Sequence, residues 1–258
     1  ITYSYSYEAG QAGRLTGVTD TGMGQVRTTD IFGNWTVSVS RNTYDQELID
    51  RYGIVRVAST FTEIVDSYNN DGSVVTYEHP QVITYSYSYE AGQAGRLTGV
   101  TDTGMGRVRT TDVFGNWTVS LSVNTYDQEL IDRYGIVRVA TTSTEIVDSY
   151  NNDGSTVEHE HPQVITYSYS YEAGQAGRLT GVTDTGVGRV RTTDIFGNWT
   201  VSLSVNTYDQ ELIDRYGIVR VASTSTEIVD SYNNDGSTVE HEHPQVITYS
   251  YSYEAGQA

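Results

Sequence analysis

Oxygen-rich turns are the first places in this 258-residue chain where residue type and spacing could support chemistry. The stretch Asp66 to Ser73 reads DSYNNDGS. A calcium loop places oxygen ligands at its first, third, fifth and twelfth positions and a glycine at the sixth. With Gly72 at the sixth, those places fall to Ser67, Asn69, Asp71 and Glu78. Serine is a poor leading ligand, and the same residues make an ordinary tight turn. A second candidate is His-Glu-His, at His159 to His161 and again at His241 to His243. On an extended strand, residues i and i+2 share a face, so two imidazoles there would supply half of a zinc site. The corresponding residues earlier in the chain are Tyr77 and His79, and Pro162 and Pro244 follow directly, which suits a strand edge. These readings assign no catalytic residue, no cofactor-binding residue and no metal ligand.

Nucleophilic catalysis needs a hydroxyl, a base and an orienting acid brought together. Serine and threonine abound, but the few histidines sit in one short stretch of each repeat, and no phosphate-cradling glycine loop leads from a strand into a helix. The chain is therefore not read as an enzyme, and no cofactor is expected. Trp35, Trp117 and Trp199 each follow a turn glycine. Exposed, they could stack on sugar rings; buried, they anchor a small core. Net charge is −18, which repels nucleic acid and anionic membrane. No apolar run approaches the roughly 20 residues of a spanning helix, so membrane insertion is not expected. Without cysteine or lysine, neither disulfides nor lysine–asparagine cross-links can reinforce the chain.

What positions these residues is a repeat. ITYSYSYEAGQA starts at Ile1, Ile83, Ile165 and Ile247, a constant step of 82. The units are 1–82, 83–164 and 165–246, with 247–258 opening a fourth. Such periods define repeat architectures. The second and third copies differ at Met105/Val187, Val113/Ile195 and Thr141/Ser223, while the first departs further, at Gln25, Val39, Arg41, Phe61, Val74, Thr76 and Tyr77. That pattern resembles drift after duplication; an engineered consensus repeat protein is the alternative origin.

Within a unit the dominant period is two. Ile1, Tyr3, Tyr5 and Tyr7 alternate with Thr2, Ser4 and Ser6, and Trp35, Val37 and Val39 with Thr36, Ser38 and Ser40. Val55, Val57, Phe61 and Val65 are expected on one side of a later strand. Turn stretches end near Gly13, Gly33, Gly53 and Gly72, with Gly95 opening the next round, at spacings of 20, 20, 19 and 23. Each unit thus divides into about four strand-turn-strand sub-units, with Asn70-Asp71-Gly72 the firmest turn. Thr43 with Gln46 fits a capping box, and Gly53 a C-terminal stop, so one short helix can sit in the loop between them. The expected class is all-β: an elongated tandem array of β-hairpins. Three separate β-sandwich beads are the alternative, distinguished by few ladder bonds across 82/83 and 164/165.

Asp30-Ile31-Phe32-Gly33-Asn34, Tyr68-Asn69-Asn70-Asp71-Gly72, and Tyr7-Glu8 followed by Gly13-Arg14-Leu15-Thr16 resemble the Tyr-Asp-x-x-Gly-Arg/Asn motif of the YD-repeat (Rhs) family. GRLTGVTD, Gly13 to Asp20, resembles the segment that follows it. The resemblance implies hairpins laid side by side in a spiralling sheet, which that family uses for toxin shells and for surface and contact proteins. Near-identical units repeat one rotation indefinitely, which favours a rod over a closed shell.

The expected function is structural: the shaft of an extracellular fibre or bacterial surface adhesin, located outside the cell or on its surface. Its partners would be neighbouring repeats or copies, associating head to tail by strand pairing. Residues 247–258 are expected to pair with the end of the third repeat as Ile83 does with the first, leaving the Ile1 strand without that neighbour. A carbohydrate-binding repeat module, with surface glycan as partner through tyrosine and tryptophan, is the alternative.

Overall fold

The computed structural model describes residues 1–30, 33–104, 106–186 and 188–252. The first repeat holds β1 (Thr2–Tyr5), β2 (Leu15–Thr19), β3 (Gly24–Thr29), β4 (Trp35–Tyr44), α1 (Gln46–Tyr52), β5 (Val57–Tyr68) and β6 (Val74–His79). Then follow β7 (Gln81–Tyr87), β8 (Leu97–Gly104), β9 (Gly106–Thr111), β10 (Trp117–Tyr126), α2 (Gln128–Tyr134), β11 (Val139–Tyr150) and β12 (Thr156–His161). The last set is β13 (Gln163–Tyr169), β14 (Leu179–Gly186), β15 (Gly188–Thr193), β16 (Trp199–Tyr208), α3 (Gln210–Tyr216), β17 (Val221–Tyr232) and β18 (Gln245–Thr248). The protein is all-β with one two-turn helix per repeat, and its sheets are antiparallel and open.

Two compact units form, Ile1–Val108 with Tyr126–Val137, and Arg109–Thr125 with Arg138–Ala258. The first contains the hairpin β1–β2 and a five-stranded sheet ordered β3-β4-β5-β7-β8. The second contains the sheet β12-β15-β16-β17-β18 and the run β14-β13-β11-β10. β7 crosses the 82/83 join and pairs on both sides, with β5 (Thr60↔Ile83) and β8 (Ile83↔Asp102). β13 crosses 164/165 likewise, with β11 (Thr142↔Ile165) and β14 (Ile165↔Asp184). Ladders thus run through both joins, which the bead alternative lacks. In β18, Ile247 pairs with Thr224 of the long strand β17. Ile83, Ile165 and Ile247 thus each pair with the long strand before them and not with the extreme end of the preceding repeat, whereas β1 pairs with β2; residues 253–258 lie outside the described part.

The long strands form because threonine, serine and valine fill them, and such side chains fit a pleated, half-buried surface. A bulge interrupts β5, and another β17. Val37 faces Asp66 while Ser38 faces Ile64, so Val65 is the extra residue. The inserted residue reverses the alternation, and Val65 is exposed where period two placed it inward. The helix does form, but its cap is Asp45, whose Oδ1 accepts from the Leu48 N–H at 2.9 Å. Thr43, the expected cap, belongs to β4 and shares a hydroxyl hydrogen bond with Ser59 at 2.7 Å. Asp45 wins because its neighbour Tyr44 still has a ladder partner, Val57, so the helix starts only once the ladder ends. Gly53 stops it at φ 68°, a left-handed conformation that glycine adopts without penalty.

The helix supplies most of the dry interior. Leu48, Ile49, Leu130, Ile131 and Leu212 are fully buried, and Ile213 nearly so. In the second unit α3 lies against β14, β14 lies against β16, and the buried set is Val119, Val182, Val201, Leu212 and Ile213. No polar side chain among the described residues is fully buried as a residue. A core this thin leaves much of the cohesion to ladders and to the tyrosines. Tyr87, Tyr169 and Tyr251 each donate a hydroxyl hydrogen bond to the carbonyl that opens the preceding long strand, Val57, Val139 and Val221, at 2.8, 2.8 and 2.6 Å.

Candidate functional site: a strand passed from repeat to repeat

The Asn-Asp-Gly turn is present, but it does not close a hairpin. In the second unit β11 lies between β10 and β13, whereas β12, immediately after the turn, joins the sheet of β15 and β16. The chain turns a corner and hands a strand from repeat two to repeat three. Local chemistry holds the corner. The Gly154 N–H donates to Asn151 O at 2.8 Å with φ +80°, and a Cβ there would collide with the Ile195 side chain. Asp153 Oδ1 accepts from the Ser155 hydroxyl at 2.7 Å and its N–H at 2.9 Å, and these bonds hold its carboxyl below the usual range. The Asn152 N–H donates to Asn116 Oδ1 at 2.8 Å, tying this turn to the one before β10. Across the corner, the Ser149 hydroxyl accepts from the Val157 N–H at 2.6 Å, replacing a ladder bond.

β12 then pairs with β15 as Thr156↔Thr193, Val157↔Thr192, Glu158↔Arg191, His159↔Val190 and His161↔Arg189. Glu160 is the bulged residue, and the bulge decides the chemistry. His159 and Glu160 are half-buried while His161 is exposed, so the two imidazoles do not share one environment as plain alternation requires. Glu160 accepts from Arg191 Nε at 2.8 Å and from its Nη2, and it stands 3.4 Å from Arg189 Nε. The Arg191 guanidinium lies 4.2 Å from the Trp199 ring centroid, and Trp199 stacks on Tyr232 at 6.2 Å. One chain of contacts thus crosses four strands, β12, β15, β16 and β17. A cation over an aromatic face contributes about 0.5–1 kcal/mol at exposed sites and more as water is excluded. Within the first unit, Glu78 of β6 meets Arg107 at 3.3 Å.

Burial holds the His159 imidazole below its ordinary pKa, against the opposing pull of Thr144 and Glu145, and its Nδ1 has no hydrogen-bond partner.

The remaining candidates are engaged elsewhere. Ser67 Oγ donates to Val75 O at 2.9 Å, the Asn69 amide donates to Ser73 O at 3.2 Å, Asp71 Oδ1 accepts from the Ser73 N–H at 2.9 Å, and Glu78 pairs with Arg107. The calcium-like spacing is thus a turn and a junction. Among the described residues, no cluster of three or more His, Cys, Asp or Glu side chains could hold a metal. Each tryptophan lines an open hollow of about 200–220 Å³, with Thr110, Asp112, Asn116, Trp117, Thr118 and Asn151 around the middle one. The indoles are already stacked: Arg27 lies 4.2 Å from the Trp35 centroid, and Tyr68 packs against it at 6.1 Å. A sugar ring would have to displace one of them. The α1 N-cap anchors a tyrosine of the next copy: Tyr89 donates to Asp45 Oδ2 at 2.6 Å, which with burial and the Asp45 charge raises its pKa to about 12. Burial, then the Asp184 and Tyr167 charges, raises Tyr208 to about 12.

Sequence reasoning missed the Glu160–Arg191–Trp199 path. Its signal was present in the second and third repeats: Arg-x-Arg lies two residues before the turn, the tryptophan follows eight after the second arginine, and a glutamate lies inside His-Glu-His. The Asp-x-x-Gly-Asn piece of the YD-like pattern also has a local cause. Asp194 Oδ1 accepts from the Asn198 N–H at 2.9 Å, and Oδ2 from its amide at 2.7 Å. A turn that closes on itself in this way can arise in unrelated chains. Compared with known protein families, curated proteins and solved structures, this chain matches none.

Proposed function

We propose that this protein is a structural element, the shaft of an extracellular fibre or a bacterial surface adhesin, whose job is to transmit cohesion from one copy of the repeat to the next. The observation that carries this reading is β12: a strand coded in repeat two pairs along the β15 edge of repeat three. Protein with its edges closed this way spends its polar backbone groups on neighbouring repeats. The acidic surface, −18 overall, keeps such an array from collapsing onto itself or onto other anionic polymers.

Imaging by negative-stain electron microscopy, combined with force spectroscopy, tests the proposal. A uniform rod whose rupture events recur at a contour length of one 82-residue repeat supports it. A rounded particle with strong, saturable signals on a glycan array would replace it with a binding module.

A further inference from the structure

Each repeat carries Asn-Trp-Thr once, at Asn34 to Thr36, Asn116 to Thr118 and Asn198 to Thr200. Asparagine, then any residue but proline, then serine or threonine is the acceptor pattern for N-linked sugar, a bulky and solubilising surface group. Asn42, Asn69 and Asn70 and their equivalents lack the hydroxyl residue two places on. The fold holds the patterned asparagine in a fixed pose, directly before β4, β10 or β16. The Asn116 amide donates one hydrogen to Asp112 Oδ2 at 2.8 Å, as Asn34 donates to Asp30 Oδ2 at 2.8 Å and Asn198 to Asp194 Oδ2 at 2.7 Å. A side-chain amide has two hydrogens to give, and among the described residues the second takes no partner. Asn116 and Thr118 both line the open hollow beside Trp117, and the other two repeats show the same arrangement.

A second observation comes from the residues just before. Val113 and Phe114 are 56 % and 75 % exposed, and Ile195 and Phe196 are 59 % and 72 % exposed. The corner of the preceding repeat reaches Ile195, which a Cβ on Gly154 would strike, yet Phe196 stays bare beside it. Neighbouring repeats therefore do not cover these turn tips. Large apolar side chains left in water at a regular interval invite aggregation unless something polar shields them.

We propose that Asn34, Asn116 and Asn198 are N-glycosylated, and that at Asn116 and Asn198 the sugar covers the apolar turn tip two residues away. The inference rests on the extracellular placement proposed above and adds a modification to it. The donor is a sugar activated as a glycosyl diphosphate. Asparagine Nδ2 forms a bond to the anomeric carbon, the bond from that carbon to the diphosphate oxygen breaks with its electron pair leaving on oxygen, and one amide proton is released. The hydrogen given to the aspartate is retained, so the Asp-x-x-Gly-Asn turn survives the modification.

Trypsin, cutting after arginine, releases residues 28–41, 110–133 and 192–215, each with one Asn-Trp-Thr. Mass spectrometry of these peptides, from protein purified from its own cells, should find sugar on all three asparagines. A transferred block of several sugars points to a lipid-linked donor, and a single hexose to a nucleotide-linked one. Thr36→Val, Thr118→Val and Thr200→Val leave each turn intact and should remove the added mass in the same cells, whereas serine at these places should keep it. Enzymatic removal of the sugar should raise binding of a hydrophobic dye about twofold, and Phe114→Ser with Phe196→Ser should cancel that rise. Unmodified peptides would overturn the inference, and an unchanged dye signal would overturn the covering role. Unmodified asparagines on a uniform rod would leave the structural reading standing. Modified asparagines on a rounded particle would leave the sugar standing and remove the rod.

Discussion

The hexapeptide TVEHEH has two fates in this molecule. At 156–161 it is a bulged strand whose glutamate reaches two arginines; at 238–243 it has no ladder. Composition is identical, and so is the turn before it: Gly236 donates to Asn233 O at 2.9 Å as Gly154 donates to Asn151 O at 2.8 Å. The difference is the presence of a β15-type edge within reach. Strand formation here is a property of the receiving sheet, in keeping with the general dependence of β-structure on its neighbours. A hydrogen-exchange measurement should read it directly, with amides slow in 156–161 and fast in 238–243.

Four perturbations sharpen the contrast. The largest sets the scale. Leu212→Ala removes a fully buried side chain from a very small core and should cost about 2–5 kcal/mol in urea unfolding; a cost below 1 kcal/mol would mean the helix is not the anchor. Val157→Pro removes the N–H that meets Ser149 and jams the ladder. It should cost on the order of 2 kcal/mol, whereas Val239→Pro should leave the monomer melt unchanged. Equal effects at the two sites would erase the contrast. Glu160→Ala should cost about 1 kcal/mol and release Arg191 and Trp199, visible as a change in tryptophan fluorescence; Glu242→Ala should do neither. The smallest is a pH effect. The folded chain holds His159 below its ordinary pKa, so the unseated strand binds the proton first. Stability from this seat is complete above the ordinary imidazole pKa and declines as pH falls through it toward the lowered value. Exchange in 156–161 should quicken between neutral pH and pH 5, and His159→Phe should flatten that response.

The sequence displayed the repeat, the all-β class and the placement of turns, since period-two patterning and glycine spacing are local signals. It also displayed the helix at Gln46–Tyr52, though the cap moved to Asp45 because pairing of Tyr44 with Val57 delays the helix start. It did not display the two bulges that matter. Val65 faces water, and Glu160 turns inward beside His159, because each bulge answers to the partner strand and leaves no mark in its own residues. The destination of β12 was hidden for the same reason. Asn151 to Ser155 reads as a hairpin turn, but across it Ser149 takes the Val157 N–H in place of a ladder bond, and the ladder of the next strand is made with β15. The Glu160–Arg191–Trp199 contacts span residues far apart in sequence, and no spacing rule reaches that distance.

β7 and β13, each lying across a join with partners on both sides, carry an evolutionary consequence. Remove any 82 consecutive residues between equivalent points, and every surviving strand meets a neighbour of the same kind. The excision can begin in a strand, a turn or a helix without leaving a scar. Recombination can therefore lengthen or shorten the gene in whole steps at almost any breakpoint, and the folded product pays no penalty for where the crossover fell.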